Sequence, residues 1–544
     1  MNPVYRTREH RQETALTLLS AAAAEREPIE ARWNLVTDYY EGHHHTQDEI
    51  AESCRDAGIP WIAAASPDIY MHVESQITAV FPDFTFRGRD AALDDARAHE
   101  REYLVRYVTD HQNLPDLVPI HERRCILCGT AVWKVFWDGA DVRVASVDPR
   151  AVYPDPTAAR LEDCEYVSYV YRLPRRAIDR LYGDDLALLG LDAETMSSVC
   201  DVMPFADHAV FDDREDGTLP VVEHWYRDDG GRVACSILVS GREARHIPDY
   251  WRATACGQLP FVFQYRVARD ELWGRSDIEP ALPLIDAVDR ELAAAQLQSA
   301  FTGADIILAE HDAFSQNPEQ RPGAIWELKP GAIGKIRRLG GLGDAGNRLE
   351  MVDALRGMIQ DAVGNYDVSF GKEPARMLSA AGLAQLLERA DMRKASKKTE
   401  RLRAYSRLFR LIDWTILEFY DDDRVIRLGT DADGEAPRTV CFSRDSFRDV
   451  RGYFPVVDCT VTAADALETS RAFTLSALET LLAHSVTREN YPLILAALRA
   501  LDLEDAEALR EHFERVFAAE KQPAAAPNPP EEAQEINEEG EVKV

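Results

Sequence analysis

No apolar run in this 544-residue chain approaches the roughly 18 residues that span a bilayer, so no transmembrane helix is expected. The opening stretch MNPVYRTREHRQETALTLLS has no sustained apolar segment, and Glu9 and Glu13 interrupt it, which argues against a secretory signal. Nine scattered cysteines cannot staple a chain of this length, so synthesis in a reducing interior is the simple reading. Lysine is equally scarce, at nine residues, and most positive charge is arginine. Positive charge is short altogether: 62 Lys+Arg stand against 94 Asp+Glu, a net charge of −32. A protein that grips nucleic acid over its whole surface is usually basic, so that class is disfavoured. One that must let nucleic acid slide is not.

The motifs of catalysis are missing too. Gly331-Ala332-Ile333-Gly334-Lys335 and Gly371-Lys372 lack the spacing and the Ser/Thr of a phosphate-binding P-loop. There is no GxSxG, HExxH or EF-hand loop, and nothing assembles a nucleophile, a base and an oxyanion donor. No enzyme, catalytic residue, cofactor or metal site is therefore expected. Gly341, Gly343 and Gly346 do fit GxGxxG. The strand before them, GKIRRL, is short and charged where a buried parallel strand is apolar, and no βαβ unit follows. A nucleotide-binding enzyme using Gly341–Gly346 stays as the alternative. Cys125 and Cys128 form one CxxC, either half a zinc site completed by His121 or Cys164, a redox pair, or two small hydrophobes on the apolar side of a helix. His43-His44-His45 reads either as an adventitious metal binder or, more simply, as a polar loop facing solvent.

What is present is an ordinary globular composition, 46% hydrophobic and 29% charged, long enough for three or four domain-sized units. The spacing predicts helices over 8–25 and 28–41, the second stopping at Gly42, and over 67–82, closed by Pro82. A helix over 117–128 stops at Gly129. β-branched and aromatic runs flank Asp138-Gly139 as a hairpin. With EYVSYVYRL, LPVVEHWYRD and RVACSILVSG they make 130–265 mainly sheet, with a helix near 175–183.

Ser276-Asp277-Ile278-Glu279 has the capping-box form, so a helix opens at Ser276. Short strands fill 305–340, a helix spans 347–363, and 383–420 is one long helical pattern. Strands return over 424–463, 464–519 is helical, and the tail from Lys521, with four Pro and six Glu in 24 residues, is expected to be disordered. The class is α+β. One stretch is out of character: Glu388–Arg410 carries nine basic residues against three acids. It reads as a solvated or intersubunit face, or as a contact with phosphate.

In combined order these segments resemble the tailed-phage portal proteins, dodecameric head-to-tail connectors. WNLVTDYYEG (Trp33–Gly42) resembles their N-terminal helix ending, and VASVDPRAVYPDPTA (Val144–Ala158) their strand and Asp-Pro turn. LPFVF followed by ELWGRSDIEPALPLIDAVDRELAAAQ resembles the entry into their first stem helix. The resemblance implies a wing, helical over 1–115 and β-rich over 116–275. It implies a first stem helix over 276–304, a small α/β clip over 305–346 and a second stem helix over 347–363. A tunnel loop over 364–382, a long wing helix over 383–420 and return strands over 421–463 follow. A helical crown over 464–520 and an acidic tail over 521–544 complete it.

It further implies a ring of about 12 copies at one capsid vertex in the virion, assembled in the host cytoplasm. Double-stranded DNA would pass its channel in packaging and ejection. The implied partners are the terminase large subunit, the head-completion adaptor, and the major capsid and scaffolding proteins, with no membrane. Candidate DNA-facing loop residues are Tyr366, Lys372 and Arg376. Candidate clip or channel residues are Lys329, Lys335, Arg337 and Arg338. Candidates for an intersubunit or DNA-facing stripe are Arg393, Lys394, Lys397, Lys398 and Arg401. Another capsid or tail structural protein of similar α+β order is the remaining alternative.

Overall fold

The computed structural model of the protein describes residues 5, 7–56, 65–77, 81–88, 92–187, 218–268, 270–303, 306–310, 313–315, 327–339, 346–364, 380–421, 424–427, 439–449 and 452–462. The chain divides into two units, Met1–Thr462 and Ala463–Val544. All described residues belong to the first unit, so the helical reading of 464–519 and the tail fall outside them.

The first helix, α1 (Arg8–Glu41), is continuous where the sequence suggested a break. Thr7 caps its start by accepting from the His10 N–H at 3.2 Å, and Gly42, at φ 86°, ends it. Pro28 lies inside and forfeits one helical hydrogen bond, a cost of about 3 kcal/mol. Packing on both sides offsets it. Before Pro28, Ala15, Leu19, Ala22 and Ala23 lie on Tyr153, Val170, Val222 and Leu238; after it, Trp33, Val36 and Tyr39 enter the main core. Arg26 adds a clamp, donating to the carbonyls of Pro149 (3.2 Å), Arg150 (2.7 Å) and Val152 (2.6 Å) with its cation over the Tyr153 ring.

α2 (His45–Asp56) and α3 (Asp68–Glu74) follow. The third helix is thus shorter than the 67–82 pattern, because Ser75 caps it and a strand, β1 (Asp83–Gly88), begins just after Pro82. α4 (Ala92–His111) and α5 (Leu114–Cys128) lead to Gly129, φ 75°, which turns the chain into β2 (Thr130–Trp137). β2 and β3 (Val142–Val147) form the expected hairpin through Asp138-Gly139. β4 (Val152–Pro154), β5 (Tyr166–Pro174), α6 (Arg175–Ala187), β6 (Thr218–Arg227), β7 (Val233–Val239), β8 (Arg242–Ile247) and β9 (Phe261–Tyr265) complete this part.

Two antiparallel sheets result, β3-β2-β9 and β4-β5-β6-β7-β8. The longest ladder runs from Tyr166 opposite Tyr226 to Pro174 opposite Thr218.

α7 (Leu282–Gly303) starts later than the capping box proposed. The Ser276 hydroxyl accepts from Ile278, not Glu279, and a single 3₁₀ turn over Glu279–Ala281 precedes the helix. Proline explains the difference. A helix opened at Ser276 would bury Pro283 in its second turn, without an N–H and against a carbonyl one turn back. Starting at Leu282 puts Pro283 in the first turn, where the missing donor is harmless.

β10 (Ile306–Ala309) and β11 (Ile336–Leu339) pair antiparallel, and α8 (Gly346–Val363) follows. α9 (Ala380–Phe419) has 40 residues, about 60 Å of rod. It packs against α4, β2 and β9 and carries Tyr405, Leu408, Phe409, Ile412 and Ile416 through the main core. β12 (Arg424–Arg427) pairs with β13 (Thr439–Phe442). β14 (Val457–Thr462) returns to pair with β1, Asp83 opposite Thr462 and Gly88 opposite Val457.

Candidate functional site

The helices α7 and α8 pack on each other and on the main core, and the antiparallel β10–β11 pair lies between them in the chain. The helices are antiparallel. Arg348, at the start of α8, donates to Gln298 (3.0 Å) near the end of α7 and to Glu291 (2.9 Å) near its middle, and α8 packs along α7 and on the 3₁₀ turn before it. Val352, Leu355, Ile359 and Val363 fall at helical spacing and form its buried seam. Met351 and Met358, seven residues apart on the other side, are exposed. At the hairpin, Lys335 is exposed and pairs with Glu310 at 2.9 Å. Lys329 is exposed, and its N–H donates to the Ala313 carbonyl. Arg337 and Arg338 lie on β11.

The base of α7 is anchored by two carboxylates, Asp286 half-buried and Asp289 fully buried. Asp286 accepts from the Tyr39 and Thr46 hydroxyls, each at 2.5 Å. Asp289 accepts the Ser66 N–H at 2.9 Å and meets His44 Nδ1 at 2.5 Å. The other ring nitrogen of His44 faces the Tyr39 carbonyl at 3.1 Å. With an acceptor at each nitrogen the ring donates twice, and only the imidazolium carries two donors. Burial by itself lowers a histidine pKa. The Asp289 hydrogen bond and charge, with the Tyr39 carbonyl and Asp286, outweigh it, so the pKa lies above the ordinary 6.5. The triple histidine therefore divides: His43 and His45 are exposed as expected, while His44 is fully buried, a correction to the solvent-facing reading.

The basic stretch of α9 divides as well. Arg401 turns inward to Glu122 at 2.8 Å, which also accepts from Gln264 at 3.1 Å. Lys397 turns to Asp277, which Arg266 meets at 3.0 Å from the other side. Burial works against the charged form of Asp277, but the two cations outweigh it and hold its pKa below the ordinary value. The charges of Lys397 and Arg401 are thus taken up inside their own chain, tying α9 to α5 and to the entry of α7. Lys398 is exposed, Arg403 pairs with Glu400 (2.7 Å) and Arg407 with Glu162 (3.2 Å). Arg393 and Lys394 lie on α9. Tyr366, Lys372 and Arg376, and Gly341 and Gly343 of the glycine motif, lie outside the described residues.

Cys125 and Cys128 are both buried. Burial pushes their thiols up, Cys128 to about 12, so neither is a ready thiolate. His121 stacks on Trp133 at 3.9 Å, and burial drives its pKa well down. Among the described residues no three His, Cys, Asp or Glu side chains gather to hold a metal, and no helix is long and apolar enough to cross a membrane.

The model of the phage P22-like portal protein family matches residues 291–542, a little under half of the chain. The match begins inside α7 and takes in the hairpin, α8, α9 and β12 to β14. The resemblance to tailed-phage portal proteins is met by that match. No curated protein matches this chain.

Proposed function

We propose that this chain is the portal subunit of a tailed phage, forming a ring at one capsid vertex through which double-stranded DNA is packaged and ejected. The observation that carries the reading is the match to the phage P22-like portal protein family over residues 291–542. α7 and α8 serve as the stem helices, 305–346 as the clip on which terminase and then the adaptor dock, and 364–382 as the tunnel loop. The wing comprises 1–275, α9 and the return strands, and 464–520 forms the crown. The role is structural, with the packaging ATPase on a separate protein.

Charge supports a sliding contact. Duplex DNA presents one charge per about 1.7 Å of axis, and a strongly basic wall would hold each phosphate. A chain of net charge −32 repels the duplex and leaves a few weak cationic contacts.

Native mass and negative-stain images of the purified chain test this. Rings of about twelve subunits with a central channel are expected. A compact small oligomer that binds a nucleotide would overturn the reading. Replacing Lys372 and Arg376 together by Ala is expected to change DNA packaging or retention while rings still form. Unchanged packaging would remove the loop from the channel.

A further inference from the structure

We propose that the pocket between α9 and β9 receives helix α6 of a neighbouring copy, as one link of the ring. The inference rests on the portal reading, since a closed ring gives every subunit a neighbour on each of two different faces.

The pocket is a cavity of about 350 Å³. Its floor is apolar and buried, made by Leu259, Phe261 and Phe263, and its rim carries Arg407 and Arg410. A third arginine in the wall, Arg227, is taken up by the carbonyls of Cys164 and Gly257. Arg407 reaches Glu162 across the mouth at 3.2 Å. Arg410 donates to the Ser406 carbonyl, through Nε at 3.4 Å, and among the described residues no acid pairs with it.

Cations above an apolar floor select the occupant. A duplex phosphate would meet the cations but has no use for the floor. A protein segment that carries an aliphatic side chain beside a carboxylate meets both, and arginine over a desolvated apolar patch is the composition of interface anchors.

The chain carries such a segment. On α6, Leu181 is exposed (45%), and Asp184 lies three residues on, on the same face. Asp185 is already paired with Arg245 at 2.5 Å, whereas among the described residues no cation pairs with Asp184. The two halves are different patches of one subunit. The pocket adjoins the Tyr166–Tyr226 end of β5–β6, whereas α6 lies back over the sheet, its Tyr182 hydroxyl 3.5 Å from that of Tyr171 and its Asp185 paired with Arg245 on the edge strand β8. A head-to-tail contact joins two different patches of one surface, and Arg410 on α9 and Asp184 on α6 belong to two such patches.

The test is a charge exchange read by native mass over a range of protein concentration, with thermal midpoints checking that each variant folds. Arg410→Glu and Asp184→Arg are each expected to weaken ring assembly tenfold or more, and the double variant to restore it. Leu181→Ser tests the apolar half and is expected to weaken assembly as the single charge variants do. Single variants that assemble like the wild type, or a double variant no better than either, would overturn the contact while leaving the ring intact. A wild-type chain that stays monomeric at every concentration would instead remove the ring reading, and this contact with it.

Discussion

Gly129→Ala is expected to lower stability by roughly 3 kcal/mol or more, through backbone strain plus overpacking. Gly129 has φ 75°, and a Cβ there would lie 2.3 Å from the Arg275 carbonyl carbon and 2.6 Å from Ser276 N. These are backbone atoms and cannot swing aside. The opposing segment has the same need: a Cβ on Gly274 would lie 2.4 Å from the Gly129 oxygen. Hydrogen bonds hold the two segments at this distance, Arg266 N–H to Gly129 O at 2.9 Å and Gly274 N–H to Thr130 Oγ1 at 2.8 Å. Gly42→Ala is the control. It has φ 86°, but a Cβ would meet nothing within 4 Å, so only the conformational cost of about 1 kcal/mol remains. Thermal or denaturant midpoints compare the two. Equal losses would show that the close approach at the α5–β2 corner is not what excludes a side chain there.

His44→Ala is expected to cost about 3 kcal/mol below neutral pH, because it strands the buried Asp289 carboxylate without its cation. The groups around the ring are Tyr39 of α1, Thr46 of α2, and Asp286 and Asp289 of α7. The pKa of His44 is raised in the folded state. Its contribution is therefore fully present below the unfolded value near 6.5 and is lost as pH rises through the folded value. The gap between wild type and variant should narrow on going from pH 6 toward alkaline pH. A gap constant with pH would mean that the ring is neutral and the contact only steric.

Much of the backbone was legible locally. Gly42, Gly129 and Gly364 end helices at the places their pattern suggested, and the Asp138-Gly139 hairpin and the β5 to β7 runs follow from alternation and turn chemistry. The readings that needed correction involved a competing term from elsewhere in the fold. Pro28 looked like a break because nothing local reveals that the sheet and the core grip the helix on both sides of it. Ser276 looked like a cap because its motif is local, whereas Pro283, seven residues on, decides where the helix starts. Lys397 and Arg401 looked like surface charge by composition. Stepping back from Leu408 by three or four residues reaches Tyr405 and Ala404, then Arg401, then Lys397, so periodicity alone places them on the inward face. His44 offered no comparable hint. Its partner Asp289 is 245 residues away.

The pairing of β1 with β14 sets a condition on biosynthesis. Gly88 meets Val457 only after roughly 370 further residues have been made. Arg101 likewise waits for Asp413, 312 residues on. At about 5–20 residues per second, translation leaves β1 without its neighbour for roughly twenty to seventy seconds. Through that interval it is an unpaired edge, the kind of surface on which nascent chains misassociate. The ribosome thus hands over a chain whose first strand is closed almost last, and the speed of elongation, as much as the native contacts, governs how many copies arrive folded.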